Sequence, residues 1–356
     1  MLTGQTLQRG GKGLDGIQAI RFLAAMLVVV MHAIESMVSR GAGIAMWNGG
    51  GIGVDMFFVV SGFVMALTTA NIPHGWPARL HASLLFCKRR LIRLLPVYWF
   101  YTTLKIILVL FLPALALRAT LDPSHILASF LLFPAVAPWG LVQPILPVGW
   151  TLCLEMLFYA IFALAILLGA PRLIFCLLVF GLISLLHRWM PHVVALAFYQ
   201  HIMVYDFALG IFIAWAWKKS GRVPRLFALV AMVPAFCGIF GGTFGSGVWF
   251  YLARGMAAGA FVWSIAVLEP VWQGLRFLPF VKHLGDASYS TYLSHSFVAP
   301  FTVIALVNYL PPAITLVAVV SSCALAGSLS YIFIERPMLN FFRTNLGADT
   351  ARPATS

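Results

Sequence analysis

Ionisable side chains inside long apolar runs are the residues of this sequence best suited to chemistry. His32, Asp55, Glu155, Asp206 and Arg254 each lie within such a run. A charged side chain at the bilayer centre costs at least about 2.5–3.5 kcal/mol, so such residues are natural candidates for function. Counted along helices that alternate in direction, all five fall at one level near the outer face of the membrane. We expect a shared polar cavity at this level; the alternative is interfacial snorkelling, which suits Arg254 better than the short acidic side chains.

Arg21 and His32 form a second pattern, because they share the first apolar run and lie eleven positions apart. At 100° per residue this spacing is three turns plus about 20°, so both side chains project from one stripe of a helix, about 16 Å apart along its axis. A guanidinium near the inner side and an imidazole near the outer side suit a long, thin ligand with an anionic head and a reactive tip. An acyl thioester on a phosphopantetheine arm is such a ligand. The alternative is a lone buried histidine and an arginine paired with a carboxylate at a helix end.

The composition decides which elements must position these residues. The chain has 356 residues, of which 62% are hydrophobic and 9% charged, with a mean hydropathy of +0.96. Soluble domains carry roughly 25% charged residues, so a soluble enzyme is excluded. The five cysteines fall mostly within apolar runs, and we interpret them as small core residues and not as a disulfide framework.

Ten apolar segments are each close to the roughly 20 residues that one bilayer crossing needs. They predict an all-α polytopic integral membrane protein with about ten transmembrane helices. The segments span residues 16–37, 52–71, 91–112, 150–169, 173–190, 202–217, 226–241, 250–268, 287–307 and 313–334.

The distribution of basic residues predicts the orientation of these helices. With both termini in the cytoplasm, 17 of the 23 lysine and arginine residues fall on the inner side. This asymmetry agrees with the positive-inside rule. The formal net charge of +13 is therefore mostly a consequence of topology, and we expect membrane lipids and no nucleic acid as partners.

One long outer loop, residues 113–149, is rich in proline and yet apolar. We expect it to pack on the helix bundle or to dip into the membrane interface, because non-helical backbone at membrane depth is tolerated only against protein or a wet cavity. Residues 1–346 are expected to form a single transmembrane domain, and residues 347–356 a short polar C-terminal tail.

Six motifs in this order resemble those of the membrane-bound acyltransferase family 3, whose members acylate hydroxyls on envelope and exported glycans. The motifs are GLDGIQAIRFLAAMLVVVMH (13–32), GGIGVDMFFVVSGF (50–63), CKRRLIRLLPVYW (87–99), GWTLCLEMLFY (149–159), LGDASYSTYLSH (284–295) and IERP (334–337). The opening IQAIR is similar to the branch that acts on exopolysaccharide and O-antigen. Phe22 departs from the pattern, because many members have glycine after the arginine.

The resemblance implies catalytic roles for three of these residues. His32 would be the general base that takes the proton from the acceptor hydroxyl as its oxygen attacks the thioester carbonyl. Either Asp55 or Glu155 would orient its imidazole. A covalent acyl-histidine intermediate is left open.

The resemblance also implies binding roles. Arg21, Arg90 and Arg93 would hold the phosphates of coenzyme A, although positive-inside topology alone could explain the basic cluster around Arg90. The remaining candidates for acceptor binding or oxyanion stabilisation are Ser61, Trp150, Asp206, Arg254, Tyr292 and His295. For Tyr292 and His295, which share a face with Ser288, the alternative is a hydrogen-bonded seam between helices.

These features predict a membrane O-acyltransferase that moves an acyl group, with acetyl expected, from cytoplasmic acyl-CoA to a hydroxyl of an exported or envelope glycan such as exopolysaccharide. The alternatives are a transporter or flippase for a glycan or lipid-linked intermediate, and a structural scaffold; no internal repeat of the kind common in transporters is visible. We expect no permanently bound cofactor and no metal, and acyl-CoA as donor substrate. The expected acceptor is a glycan or lipid-linked saccharide, and the expected location is the bacterial inner membrane. Further expected partners are polysaccharide assembly machinery or a second copy of the chain.

Overall fold

The computed structural model describes residues 14–72, 75–112, 120–219, 223–240, 247–272 and 278–346. Over these residues the chain is predominantly helical. The helices are α1 (Asp15–Val38), α2 (Ile52–Thr68), α3 (Trp76–Phe111), α4 (Pro123–Phe130), α5 (Trp150–Leu168), α6 (Arg172–Trp189), α7 (Val194–Tyr199), α8 (Val204–Lys219), α9 (Arg225–Phe240), α10 (Val248–Val267), α11 (Glu269–Trp272), α12 (Leu278–Asp286), α13 (Ser288–Leu306), α14 (Pro312–Ser330) and α15 (Arg336–Asn345). A π-helical stretch, Tyr331–Glu335, joins α14 to α15. Within these ranges β pairing is limited to one isolated antiparallel bridge, Val136 to Val142.

The all-helical membrane fold expected from the sequence is confirmed, and every one of the ten predicted segments overlaps a helix. Among the described residues, seven helical stretches are long and apolar enough to cross a bilayer. On α6 the exposed side chains include Ile174, Leu178 and Leu182, as contact with lipid requires. The number of crossings and the side of both termini stay predictions, and the predicted tail 347–356 lies outside the described residues.

Helix α3 differs from its predicted bounds, because it begins at Trp76 and not near residue 91. No helix breaker occurs between Pro77 and Pro96, so the mixed polar and apolar stretch before Arg90 continues the helix. A helix of 36 residues is about 54 Å long, well beyond the hydrocarbon thickness of about 30 Å. The basic cluster around Arg90 is therefore carried on a helix and not on the loop that precedes one.

The described chain forms two compact units, and the first contains Met1–Asn71 and His201–Ser328. Its core is built from apolar side chains of α1, α2, α8, α9 and α10. Gly62 of α2 and Gly210 of α8 lie at a close crossing, where a Cβ on Gly62 would meet the Phe207 carbonyl oxygen and lie 3.2 Å from Gly210 Cα. Small residues allow two helix backbones to approach in this way, and the crossing holds α2 and α8 together.

The second unit contains Ile72–Gln200 and Leu329–Ser356. The described part of the outer loop, residues 120–149, packs on α3, in agreement with the prediction for it. The Tyr98 hydroxyl donates to the Ser129 carbonyl oxygen at 2.9 Å, and Trp99 Nε1 donates to the Phe130 carbonyl oxygen at 2.8 Å. Residues 113–119 of the predicted loop lie outside the described residues.

The N-terminal end of α1 is bonded to the segment that follows α10. The buried Glu269 carboxylate accepts from the backbone N–H groups of Asp15 at 2.6 Å and Gly16 at 3.0 Å. It therefore satisfies donors that the first turn of a helix leaves without partners. Lys282 of α12 adds an ion pair with Asp15 at 2.9 Å. Together these contacts fix the end of the helix that carries Arg21 and His32.

Candidate active site

His32 lies toward the C-terminal end of α1, and its imidazole has a carboxylate partner on the same helix. His32 Nδ1 and Glu35 Oε2 are 3.1 Å apart, and the two side chains are 39% and 59% exposed. Residues three apart lie on the same face of a helix, which brings the two groups together. Glu35 is not among the residues predicted from the sequence, although its i,i+3 spacing from His32 is a sequence signal.

A second histidine lies against His32. The ring of His295, on α13, stacks on the His32 ring with the centroids 5.4 Å apart and an angle of 25° between the planes. His295 is almost completely buried, and the Tyr292 ring lies 5.6 Å from it. Tyr292 in turn packs edge-on to Phe57 of α2 at 5.9 Å. The structure thus brings His295 next to His32 and Tyr292 next to His295.

Asp55 and Arg254 form a buried ion pair between α2 and α10. Arg254 Nε lies 2.6 Å from Asp55 Oδ2, and Nη2 donates to Asp55 Oδ1 at 3.3 Å. The guanidinium also lies over the rings of Phe250 and Tyr251, at 5.3 Å and 5.1 Å. Asp55 therefore engages the guanidinium with both carboxylate oxygens.

Asp206, in the first turn of α8, completes this cluster. It is buried and interacts with both Asp55 and Arg254. Two glycines make room for these groups: a Cβ on Gly51 would lie 2.7 Å from Arg254 Nη1, and a Cβ on Gly255 would overlap the Asp206 carboxylate. Three of the five predicted ionisable residues are thus in contact in the first unit.

The structure changes the predicted role of Asp55 as the residue that orients His32. The carboxylate that is hydrogen-bonded to the imidazole is that of Glu35, while the Asp55 carboxylate forms an ion pair with Arg254. The same pairing occupies the guanidinium that was predicted as an oxyanion donor. Ser61 lies six residues beyond Asp55 on α2, and so about 9 Å further along the helix axis.

Arg21 lies half-buried in the N-terminal half of α1 and donates from Nη1 to Gln18 Oε1 at 2.9 Å. The helix is uninterrupted from Asp15 to Val38. The axial separation of Arg21 and His32 is therefore the predicted value of about 16 Å.

The remaining predicted residues lie in the second unit. The Tyr159 hydroxyl donates to Glu155 Oε1 at 2.5 Å on α5. Arg90 interacts electrostatically with both residues and with Arg93, and its guanidinium lies 5.6 Å from the centre of the Phe86 ring. Arg90 is buried. The cytoplasmic position expected for its basic cluster stays a prediction.

Trp150 is half-buried and forms the first residue of α5, one turn and a half before Glu155. Half-buried Arg93 lies one turn beyond Arg90 on α3. Among the described residues, no group of three or more His, Cys, Asp or Glu side chains could hold a metal ion.

His201, between α7 and α8, lies beside the first unit's ion cluster. Its ring packs edge-on to Tyr251 at 5.5 Å. Burial, and secondarily the positive charge of Arg254, lower the pKa of His201 below its usual range. Its imidazole is therefore neutral at neutral pH, which keeps a second positive charge away from Arg254.

Comparison with known proteins identifies the family of this chain. Residues 14–333 match the family model of the acyltransferase 3 domain, described as an acyltransferase domain, and the chain therefore belongs to this family of membrane acyltransferases. A relative, the exopolysaccharide production protein ExoZ of Rhizobium meliloti (strain 1021), is 36% identical over 304 residues, which cover 82% of this chain and 90% of the relative. No solved structure matches the chain significantly.

Proposed function

We propose that this membrane acyltransferase transfers an acyl group, with acetyl expected, from cytoplasmic acyl-CoA to a hydroxyl of an exported or envelope glycan in the bacterial inner membrane. The family supports the reaction class, and the name of the similar exopolysaccharide production protein supports exopolysaccharide as acceptor. The observation that carries the proposal is the partly exposed His32 imidazole at the outer end of α1, bonded to a carboxylate, with Arg21 about 16 Å inward on the same helix.

In the proposed reaction His32 acts as general base. Its free ring nitrogen accepts the proton of the acceptor hydroxyl as the hydroxyl oxygen attacks the thioester carbonyl carbon. The new C–O bond forms, the C–S bond breaks, and the leaving thiolate of coenzyme A takes the proton from the imidazolium. The products are the acylated glycan and free coenzyme A.

For the donor, we propose that Arg21 contacts the phosphates of coenzyme A, since arginine binds phosphate with two parallel hydrogen bonds. Its side chain is half-buried and so retains some accessible surface. Arg93, in the second unit, stays a prediction for phosphate binding. Arg90 is buried beside Glu155 and Tyr159, which supports a role in holding α3 and α5 together around that cluster.

The test compares surface glycans by mass spectrometry in the wild type, a deletion strain, and His32→Ala and His32→Gln strains. We expect the wild-type glycan to be heavier by one or more acyl groups and the other three to lack them. His192→Gln is the matched control, because His192 is exposed and lies in the second unit. Membrane insertion of each variant is checked by its level in purified membranes.

Purified protein supplied with acyl-CoA and acceptor glycan gives the second readout, which is release of free thiol. We expect release that depends on both substrates and on His32. Acylation that persists in both His32 variants contradicts the role of His32. Glycan transport without thiol release would favour a transporter or flippase.

A further inference from the structure

We propose that Glu35 is a positioning residue for His32, holding the proton on Nδ1 so that Nε2 presents its lone pair to the acceptor hydroxyl. The proposal rests on the proposed function for its chemistry. Glu35 does not touch the reacting atoms; it acts through the imidazole.

The hydrogen bond determines which ring nitrogen is the base. An ionised carboxylate only accepts hydrogen bonds, and a neutral imidazole has one N–H donor and one acceptor nitrogen. With His32 Nδ1 at 3.1 Å from Glu35 Oε2, the donor is Nδ1–H, and the lone pair is on Nε2. The carboxylate also stabilises the imidazolium that forms when Nε2 takes the proton.

The stack with His295 restricts the ring in the other direction. The His295 ring covers one face of the imidazole at a centroid distance of 5.4 Å and is itself held in the buried interior of α13. Rotation of His32 away from Glu35 would lose both the hydrogen bond and the stack. The two contacts together define the plane of the ring and the direction of Nε2.

Two other acidic residues on elements packed against α1 are engaged elsewhere. Asp55 on α2 pairs with Arg254 of α10. Glu269 on α11 accepts from backbone N–H groups at the inner end of α1, which is the end opposite to His32. Over the described part of the chain, the carboxylate that meets the imidazole is that of Glu35.

The kinetic test measures acyl transfer by full-length protein carrying Glu35→Gln or Glu35→Asp. We expect Glu35→Gln to lower kcat about tenfold with KM unchanged. Replacing the buried Asp of a serine-protease triad lowers kcat roughly 10⁴-fold. The loss here should be smaller because Glu35 is largely exposed and water screens its charge. Glu35→Asp keeps the charge on a shorter side chain and should recover part of the rate. Arg40→Gln is the control, since Arg40 is an exposed charge near the same end of α1.

A second readout needs no substrate and therefore separates this proposal from the proposed function. Diethyl pyrocarbonate labels neutral imidazoles, and labelling of His32 is followed by mass spectrometry at about pH 8.5, well above the ordinary imidazole pKa of about 6.5. We expect Glu35→Gln to slow labelling of His32 about threefold, the size of effect given by an exposed charged hydrogen bond. Labelling of the exposed His81 and His192 serves as the internal reference and should not change.

The two readouts decide different things. Slower labelling in Glu35→Gln supports the positioning role even if the wild type transfers no acyl group to the chosen acceptor, in which case only the proposed function fails. An unchanged labelling rate of His32, or a kcat that Glu35→Gln leaves intact while His32→Gln abolishes it, overturns the proposal.

Discussion

Removing the positive charge of Arg254 should unfold the first unit more readily than removing either carboxylate that it contacts. Arg254 pairs with buried Asp55 at 2.6 Å and interacts with Asp206, so Arg254→Gln leaves the buried Asp55–Asp206 carboxyl pair without a cation. Breaking a buried pair by deleting one partner costs about 3–5 kcal/mol, because the other charge stays buried. We expect this range for Arg254→Gln.

The two carboxylate variants should cost less. In Asp55→Asn, Arg254 keeps Asp206 and its contacts with the rings of Phe250 and Tyr251, so we expect about 1–3 kcal/mol, the cost of a lost charged hydrogen bond. Asp206→Asn leaves the Asp55–Arg254 pair intact and should cost about 1 kcal/mol. The double variant Arg254→Gln with Asp55→Asn should be less destabilised than the sum of its parts, because residues in direct contact are not additive.

The assay is the apparent unfolding temperature of purified protein in detergent, measured alongside acyl transfer at a temperature where all variants are folded. We expect the order of unfolding temperatures to be Asp206→Asn, then Asp55→Asn, then Arg254→Gln from highest to lowest. If Arg254→Gln melts with the wild type and yet loses transfer, the cluster acts directly in the reaction and the reasoning from its pairing is wrong.

Two further predictions concern packing and pH. Gly62→Ala should destabilise the first unit by about 1–3 kcal/mol in detergent unfolding, because its methyl group overlaps the α8 backbone at the crossing. The control is Gly181→Ala, which has no atom within 4 Å of the added Cβ and should be neutral or stabilising by up to about 1 kcal/mol. Equal effects of the two substitutions would contradict the close crossing. His201 has a pKa below its unfolded value, so stability is lost as the pH falls below about 6.5, where the unfolded imidazole gains a proton that the folded one does not. His201→Gln should therefore flatten the fall in unfolding temperature between about pH 7 and pH 5, and an unchanged slope would refute the role of burial and Arg254.

Much of the fold follows from hydropathy, because a bilayer imposes a length and a polarity on each crossing. The start of α3 at Trp76 did not follow, since its first turns are too polar to register as an apolar segment although nothing in them stops a helix. Charge asymmetry and apolar length mark what lies in the membrane. They do not mark where a helix begins outside it.

The residues of the candidate site were predictable by depth but not by partner. Asp55, Asp206 and Arg254 were placed at one level by counting along helices, and they are in contact. Counting gives height but not the rotation of one helix against another, so the sequence could not show that Arg254 would engage Asp55 and leave His32 to Glu35. The spacing of His32 and Glu35 was a usable signal within one helix. The stack of His295 on His32 depends on how α13 meets α1, and no local pattern reports it.

The contact between the Glu269 carboxylate and the first turn fixes the position of α1 along its own axis. His32 is seventeen residues from Asp15, about 25 Å along the same uninterrupted helix. The contact of Glu269 with Asp15 therefore sets the position of His32 along the helix axis. Inserting a single residue between them would move the imidazole by about 1.5 Å along the axis and turn it through about 100°, out of reach of His295 on α13, while Glu35 on the same helix would move with it. In evolution, the segment between Asp15 and His32 can therefore change by substitution of residues but not by insertion or deletion.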